Sequence, residues 1–122
     1  MASVLGLEHV TITAPEELEA DVVDFYERGV GLTRLEKPPG TTPGGAWFEA
    51  GGQQLHVMID PHNPPKNAHF CLTVDDFEAF VDALRAARCH IEQAPARPGR
   101  KRCFTRDPAG NSVEIVSVEG GS

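Results

Sequence analysis

The stretch His9-Val10-Thr11-Ile12-Thr13 alternates polar and apolar side chains, and sixty residues later His69-Phe70-Cys71-Leu72-Thr73 does so again. In a strand of period two, Val10 and Ile12 share one face while His9, Thr11 and Thr13 share the other. Phe70 and Leu72 oppose His69, Cys71 and Thr73 in the same way. Each run leads into a helical pattern. The first has Pro15 at its start, acids Glu16, Glu17 and Glu19, a stripe of Leu18, Val22 and Phe25, and stops at Gly29 and Gly31. The second has Asp75 as its expected N-cap with Glu78 three residues on, a stripe of Phe77, Val81 and Leu84, and Arg85 and Arg88 near the negative end of the dipole.

After each helix the sequence reads as strand. Ala46 to Glu49, a Gly51-Gly52 turn and Gln54 to Ile59 form a hairpin. Arg102 to Thr105, the turn Asp107-Pro108-Ala109-Gly110-Asn111 and Ser112 to Val118 mirror it. The chain is therefore expected to be α+β, with two paired β-α-β-β-β modules covering about residues 5–60 and 66–118 of one 1–122 domain. The joint between them, Asp60 to Asn67, carries Pro61, Pro64 and Pro65 and cannot be a central strand. Pro38 to Gly45 reads as a loop, and Glu119 to Ser122 as a tail.

Composition narrows the function. With 122 residues the chain has the size of one compact domain. Eleven Lys and Arg against eighteen Asp and Glu give a net charge of −7, which argues against nucleic acid as a partner. No apolar run approaches the roughly 20 residues that span a bilayer. The N-terminus shows no basic and then apolar leader pattern, so a cytoplasmic location is expected. Cys71, Cys89 and Cys103 are odd in number and lack a C-x-x-C pair, so they are expected to be small apolar fillers rather than disulfides or zinc ligands. Cys71 shares the face of His69, which leaves a catalytic or redox role open.

Four metal-type side chains fall at matching places in the repeat. His9 opens the first module and His56 lies in its closing strand; His69 opens the second and Glu114 lies in its closing strand. Each points away from flanking aliphatic residues that belong in a core. If these strands line one concave surface, three imidazoles and a carboxylate enter it, and a cation there would offset the cost of burying an unpaired Glu114. His62 and His90 have no counterpart and read as surface residues.

These His-x-x-φ strands and the Asp107-Pro108-x-Gly110-Asn111-x-x-Glu114 ending resemble the vicinal oxygen chelate superfamily over His9 to Val116. That group includes glyoxalase I, extradiol dioxygenases, methylmalonyl-CoA epimerase, fosfomycin-resistance transferases and bleomycin-binding proteins. The resemblance implies an open, cup-shaped mixed barrel with helices outside. It also implies a homodimer and one divalent metal ion (Zn, Ni, Co, Fe or Mn) at His9, His56, His69 and Glu114. Glu114 and His56 then become candidate catalytic proton-transfer groups. Alternatively His9, His69 and Glu114 form a facial triad suited to Fe(II), with His56 beside it as acid or base.

Departures from known members are specific. Glyoxalase I carries Glu, and methylmalonyl-CoA epimerase tends to carry Gln, where His56 stands. The fosfomycin transferases share the His-Val-Thr of residues 9–11, but their Tyr-rich phosphonate loop has no counterpart. Most extradiol dioxygenases have four modules. The functional expectation is a metal-dependent lyase, isomerase or dioxygenase acting on a small oxygenated molecule. The alternative is a metal-free protein that sequesters an antibiotic, in the bleomycin-resistance manner, and the acidic charge would suit a cationic one. A third possibility keeps the metal without turnover. Arg97, Arg100, Lys101, Arg102 and Arg106 either draw an anionic substrate or form a charged loop and edge strand.

Overall fold

The structure, a computed structural model, describes residues 4–61, 68–95 and 99–118. His62, Pro64, Pro65, Arg97 and the tail from Glu119 lie outside the described residues. β1 (His9–Ala14) is followed by a helical segment that begins as a 3₁₀ turn at Glu16–Leu18 and continues as α1 (Glu19–Asp24). That segment widens into a π turn over Phe25–Gly29. Strands β2 (Thr33–Leu35), β3 (Ala46–Ala50) and β4 (Gln53–Ile59) complete the first half. The second half repeats the order with β5 (His69–Val74), α2 (Phe77–Ala86), β6 (Glu92–Gln93), β7 (Arg102–Arg106) and β8 (Ser112–Ser117).

Each half forms one four-stranded sheet, ordered β1-β4-β3-β2 and β5-β8-β7-β6. The opening and closing strands of each half run parallel, and the other pairs run antiparallel. Both sheets remain open, so the architecture is a cup and not a closed cylinder. No helix of the described residues is long and apolar enough to cross a membrane.

The alternation in the sequence sorts the faces. Ile12, Ala14, Phe48, Leu55 and Val57 of the first sheet join Cys103, Val113 and Ile115 of the second in one core cluster. The helices supply Val22, Phe25, Phe77, Val81 and Leu84 to that cluster, which leaves the histidine-bearing faces uncovered by helix. The helix stripes thus pack as expected. Asp76 caps α2, where Asp75 was expected: its carboxylate accepts the Ala79 N–H at 3.1 Å. Starting the helix at Phe77 is what aligns Phe77, Val81 and Leu84 with the core.

A polar clamp joins the halves. Tyr26, fully buried, donates its hydroxyl to Asp107 Oδ2 at 2.8 Å. Asn111 Nδ2 donates to the same oxygen at 2.7 Å and to the Thr13 carbonyl of β1 at 2.9 Å. Asp107 Oδ1 accepts the Ala109 and Asn111 backbone N–H groups, both at 2.9 Å. The Asp-Pro-x-Gly-Asn turn therefore holds β8 and β1 in fixed relation, with Gly110 at φ +91° closing it.

Candidate functional site

On the first sheet, β1 pairs Thr11 with His56 and His9 with Gln54, and β3 pairs Trp47 with His56. These residues share one face because register partners point the same way. His56 lies between two rings. Its centroid is 3.8 Å from that of Trp47, with planes 4° apart, and 4.1 Å from that of His9, with planes 16° apart. His56 Nε2 donates to Gln54 Oε1 at 2.8 Å, which leaves the lone pair of the neutral ring on Nδ1. Burial, and next the charge of His9, push the His56 pKa below its ordinary value, although Glu8 opposes this. His56 is thus held neutral, the form that ligates metals and accepts protons.

On the second sheet, β8 pairs Glu114 with Cys71 of β5 and Phe104 of β7. Glu114 Oε1 lies 3.2 Å from His69 Nε2, and Oε2 accepts from Arg102 Nε at 3.0 Å. Phe104 packs between the two partners, with the His69 ring 5.4 Å away at 76° and the Arg102 guanidinium 5.5 Å from its centroid. The expectation of an unpaired Glu114 is corrected here. Arg102 shares its face and offsets the cost of taking a carboxylate out of water.

A cavity of about 270 Å³ opens on the first sheet between His9, Thr11, Trp47, His56, Met58 and the loop from Lys37 to Gly44. Gly45 fixes this loop against β4: a Cβ there would stand 2.0 Å from the Val57 carbonyl oxygen, and φ is +72°. Glu19 Oε2 accepts the Gly45 N–H at 2.7 Å. Trp47, Gln54 and Lys37 were not singled out as site residues by sequence reasoning. A hairpin turning at Gly51–Gly52 pairs residue 47 with residue 56, so its register was the signal for Trp47.

The four donor positions therefore come together as two pairs, His9 with His56 and His69 with Glu114. Among the described residues, no group of three or more His, Cys, Asp and Glu side chains is placed to hold one metal ion. Three imidazoles and a carboxylate suit a divalent cation chemically. Within one chain they stand as two separate pairs.

The basic segment is largely committed to internal partners. Lys101 Nζ lies 3.1 Å from Glu78, Arg106 Nε lies 3.6 Å from Glu92, and Arg100 donates to the Ser117 carbonyl at 3.1 Å. β7 is an interior strand, so its arginines do not guard an edge. Burial raises the thiol pKa values of Cys89 and Cys103, which keeps them protonated and inert. Cys71 is exposed, which corrects its reading as an apolar filler. His90 is at the surface beside Glu92, 3.4 Å away.

The sequence profile of the Glyoxalase/Bleomycin resistance protein/Dioxygenase superfamily matches residues 6–115. Among curated protein sequences, none matches significantly. A protein assigned to the glyoxalase family from Bacillus anthracis is similar in structure, with 29% identity, a TM-score of 0.88, and coverage of 96% of this chain and 98% of that one. A lactoylglutathione lyase from Agrobacterium tumefaciens shows 24% identity and a TM-score of 0.74 over 97% of both chains. TnmS3, an antibiotic binding protein from Streptomyces sp. CB03234, shows 18% identity and a TM-score of 0.78 over 96% of this chain and 98% of that one.

Proposed function

Because the chain belongs to the Glyoxalase/Bleomycin resistance protein/Dioxygenase superfamily, we propose that it is a divalent-metal-dependent enzyme acting on a small oxygenated molecule by lyase, isomerase or dioxygenase chemistry. The observation that carries this reading is the delivery of donors as two assembled pairs, one on each sheet. We infer that the two separate pairs complete one site across two copies. His9 and His56 of one copy meet His69 and Glu114 of the other. Exposed apolar residues near β1 favour such a partner: Leu5 is 100% and Leu7 71% exposed.

A divalent ion held by these four residues would supply Lewis acidity toward adjacent substrate oxygens. The chain's own residues do the rest. Gln54 fixes the His56 tautomer, so that neutral His56 offers its one lone pair, on Nδ1, to the ion or, where His9, His69 and Glu114 alone hold the ion, to a substrate proton. Glu114 is the carboxylate of the pair, oriented by Arg102. Trp47 walls the cavity and reduces access of water to His56.

The test is metal content of protein purified without chelator, together with subunit mixing. Homodimers of His56→Ala or of Glu114→Gln should hold no metal. A randomly re-paired equal mixture should recover about a quarter of the sites, since half of its dimers are mixed and each mixed dimer regains one intact site of two. Metal-free protein whose stability is unchanged by EDTA would overturn the reading.

A second reading, metal-free sequestration of a small molecule, is favoured by one observation. Both Glu114 oxygens and His56 Nε2 already have protein partners. The same metal assay separates the two.

A further inference from the structure

The net charge of −7 conceals the charge of the cavity itself. Of the described residues that line the cavity beside Trp47 and His56, none is acidic, and Lys37 is the one permanently charged group. Lys37 makes no ion pair with a described carboxylate; its ammonium donates instead to the Thr42 and Gly44 carbonyls. An ammonium has three N–H donors. Two are spent on the loop, which fixes the nitrogen in place, and one remains. Among the described basic residues from 100 to 106, Lys101, Arg102 and Arg106 each face a carboxylate, and Arg100 donates to the Ser117 carbonyl.

We propose that Lys37 is the anion-recognising residue of the cavity, and that the molecule taken there carries a carboxylate or phosphate group. The inference rests on the reading of this cavity as the substrate site and names the substrate class: an oxyanion-bearing small molecule with a flat portion that packs beside Trp47. A cationic ligand, which the net charge favours, would meet Lys37 and no acid among the described residues that line this cavity in one chain. Because the two carbonyls hold the ammonium in position, little side-chain entropy is lost when an anion arrives. The charge-assisted hydrogen bond then forms in a half-enclosed space rather than in open water.

Trp47 is the chain's single tryptophan, so its fluorescence reports occupancy directly. Benzoate, phenyl phosphate and neutral benzyl alcohol are titrated into the full chain, with and without EDTA. Both anions should bind more tightly than the alcohol, and the tighter of the two names the group. Lys37→Met should weaken the anions by about tenfold and leave benzyl alcohol unchanged. Arg106→Gln should change neither. Equal loss of anionic and neutral probes in Lys37→Met would mean that only the loop had loosened, and would overturn the proposal. Loss of anion binding in Arg106→Gln, or no preference for anions, would do the same. Anion binding that survives EDTA would sustain the proposal even where the metal assay had overturned the metal-dependent reading.

Discussion

The His56 imidazole lies flat on the Trp47 indole, 3.8 Å between centroids and 4° from parallel, with His9 stacked on its opposite side. The sandwich desolvates His56 and sets it against a second imidazole, while Glu8 at His9 opposes the effect less strongly. A histidine with a folded-state pKa below its unfolded value of about 6.5 binds fewer protons folded than unfolded within that interval. Stability is then fully present above about pH 6.5 and falls as pH drops through the folded pKa. Urea midpoints in EDTA between pH 7.5 and pH 5 should decline, with a shallower decline in His56→Gln. Identical slopes would show that His56 does not titrate in this way.

Tyr26 makes a prediction at the opposite end of the scale. Burial, and then Asp107, raise its pKa well above 10. Below pH 10 the phenol is neutral in both states. Above it the unfolded chain releases a proton that the folded one keeps, so stability falls as pH rises. Tyr26→Phe should lack this alkaline loss. At neutral pH it should cost about 1 kcal/mol, because Asp107 keeps Asn111 and two backbone donors. Thermal melts at pH 7 and pH 10.5 separate the two effects.

The two β-α-β-β-β halves and the facing of His9, His56, His69 and Glu114 were legible because alternation in a strand is a local property. Pairing across the sheet was not. Glu114 required the neighbour of β8 to be known before Arg102 could be seen beside it. The same holds for Tyr26: its aromatic ring lies next to Phe25 on a turn wider than an α-helix, off the expected stripe. Its partner Asp107 is 81 residues away. Asp76 displaced Asp75 as the cap because adjacent aspartates offer the same chemistry, and core alignment of Phe77 chose between them. Lys37 escaped notice since its role depends on loop carbonyls, which no side-chain pattern encodes.

Thr105 on β7 is fully buried, and its hydroxyl oxygen has no hydrogen-bond partner among the described residues. Its strand neighbour Cys103 joins the core cluster, so the hydroxyl gains nothing from its position. Thr105→Val keeps the shape and removes the orphan oxygen. It should stabilise the protein by about 1 kcal/mol, roughly a 4 °C rise in Tm for a chain of this size. Thr105→Ser keeps the hydroxyl and removes the methyl, and should destabilise by a similar amount. Differential scanning calorimetry checks both. A Thr105→Val protein no more stable than the parent would indicate that the hydroxyl has a water partner.

Arg102 and Glu114 face each other with side chains only 13% and 14% exposed. A pair this enclosed costs more to break than a surface pair, since the survivor keeps its charge out of water. Arg102→Met should therefore lose about 2 kcal/mol in urea unfolding, as should Glu114→Gln. The double variant should lose less than the sum, because neither charge is stranded, and the cycle gives their coupling. Metal affinity should move the other way in Arg102→Met. A divalent ion approaching Glu114 no longer meets a guanidinium 3.0 Å from the carboxylate. The rise in Tm on adding zinc should consequently be larger in Arg102→Met than in the parent, and absent in Glu114→Gln. An equal rise in all three would place the ion away from Glu114.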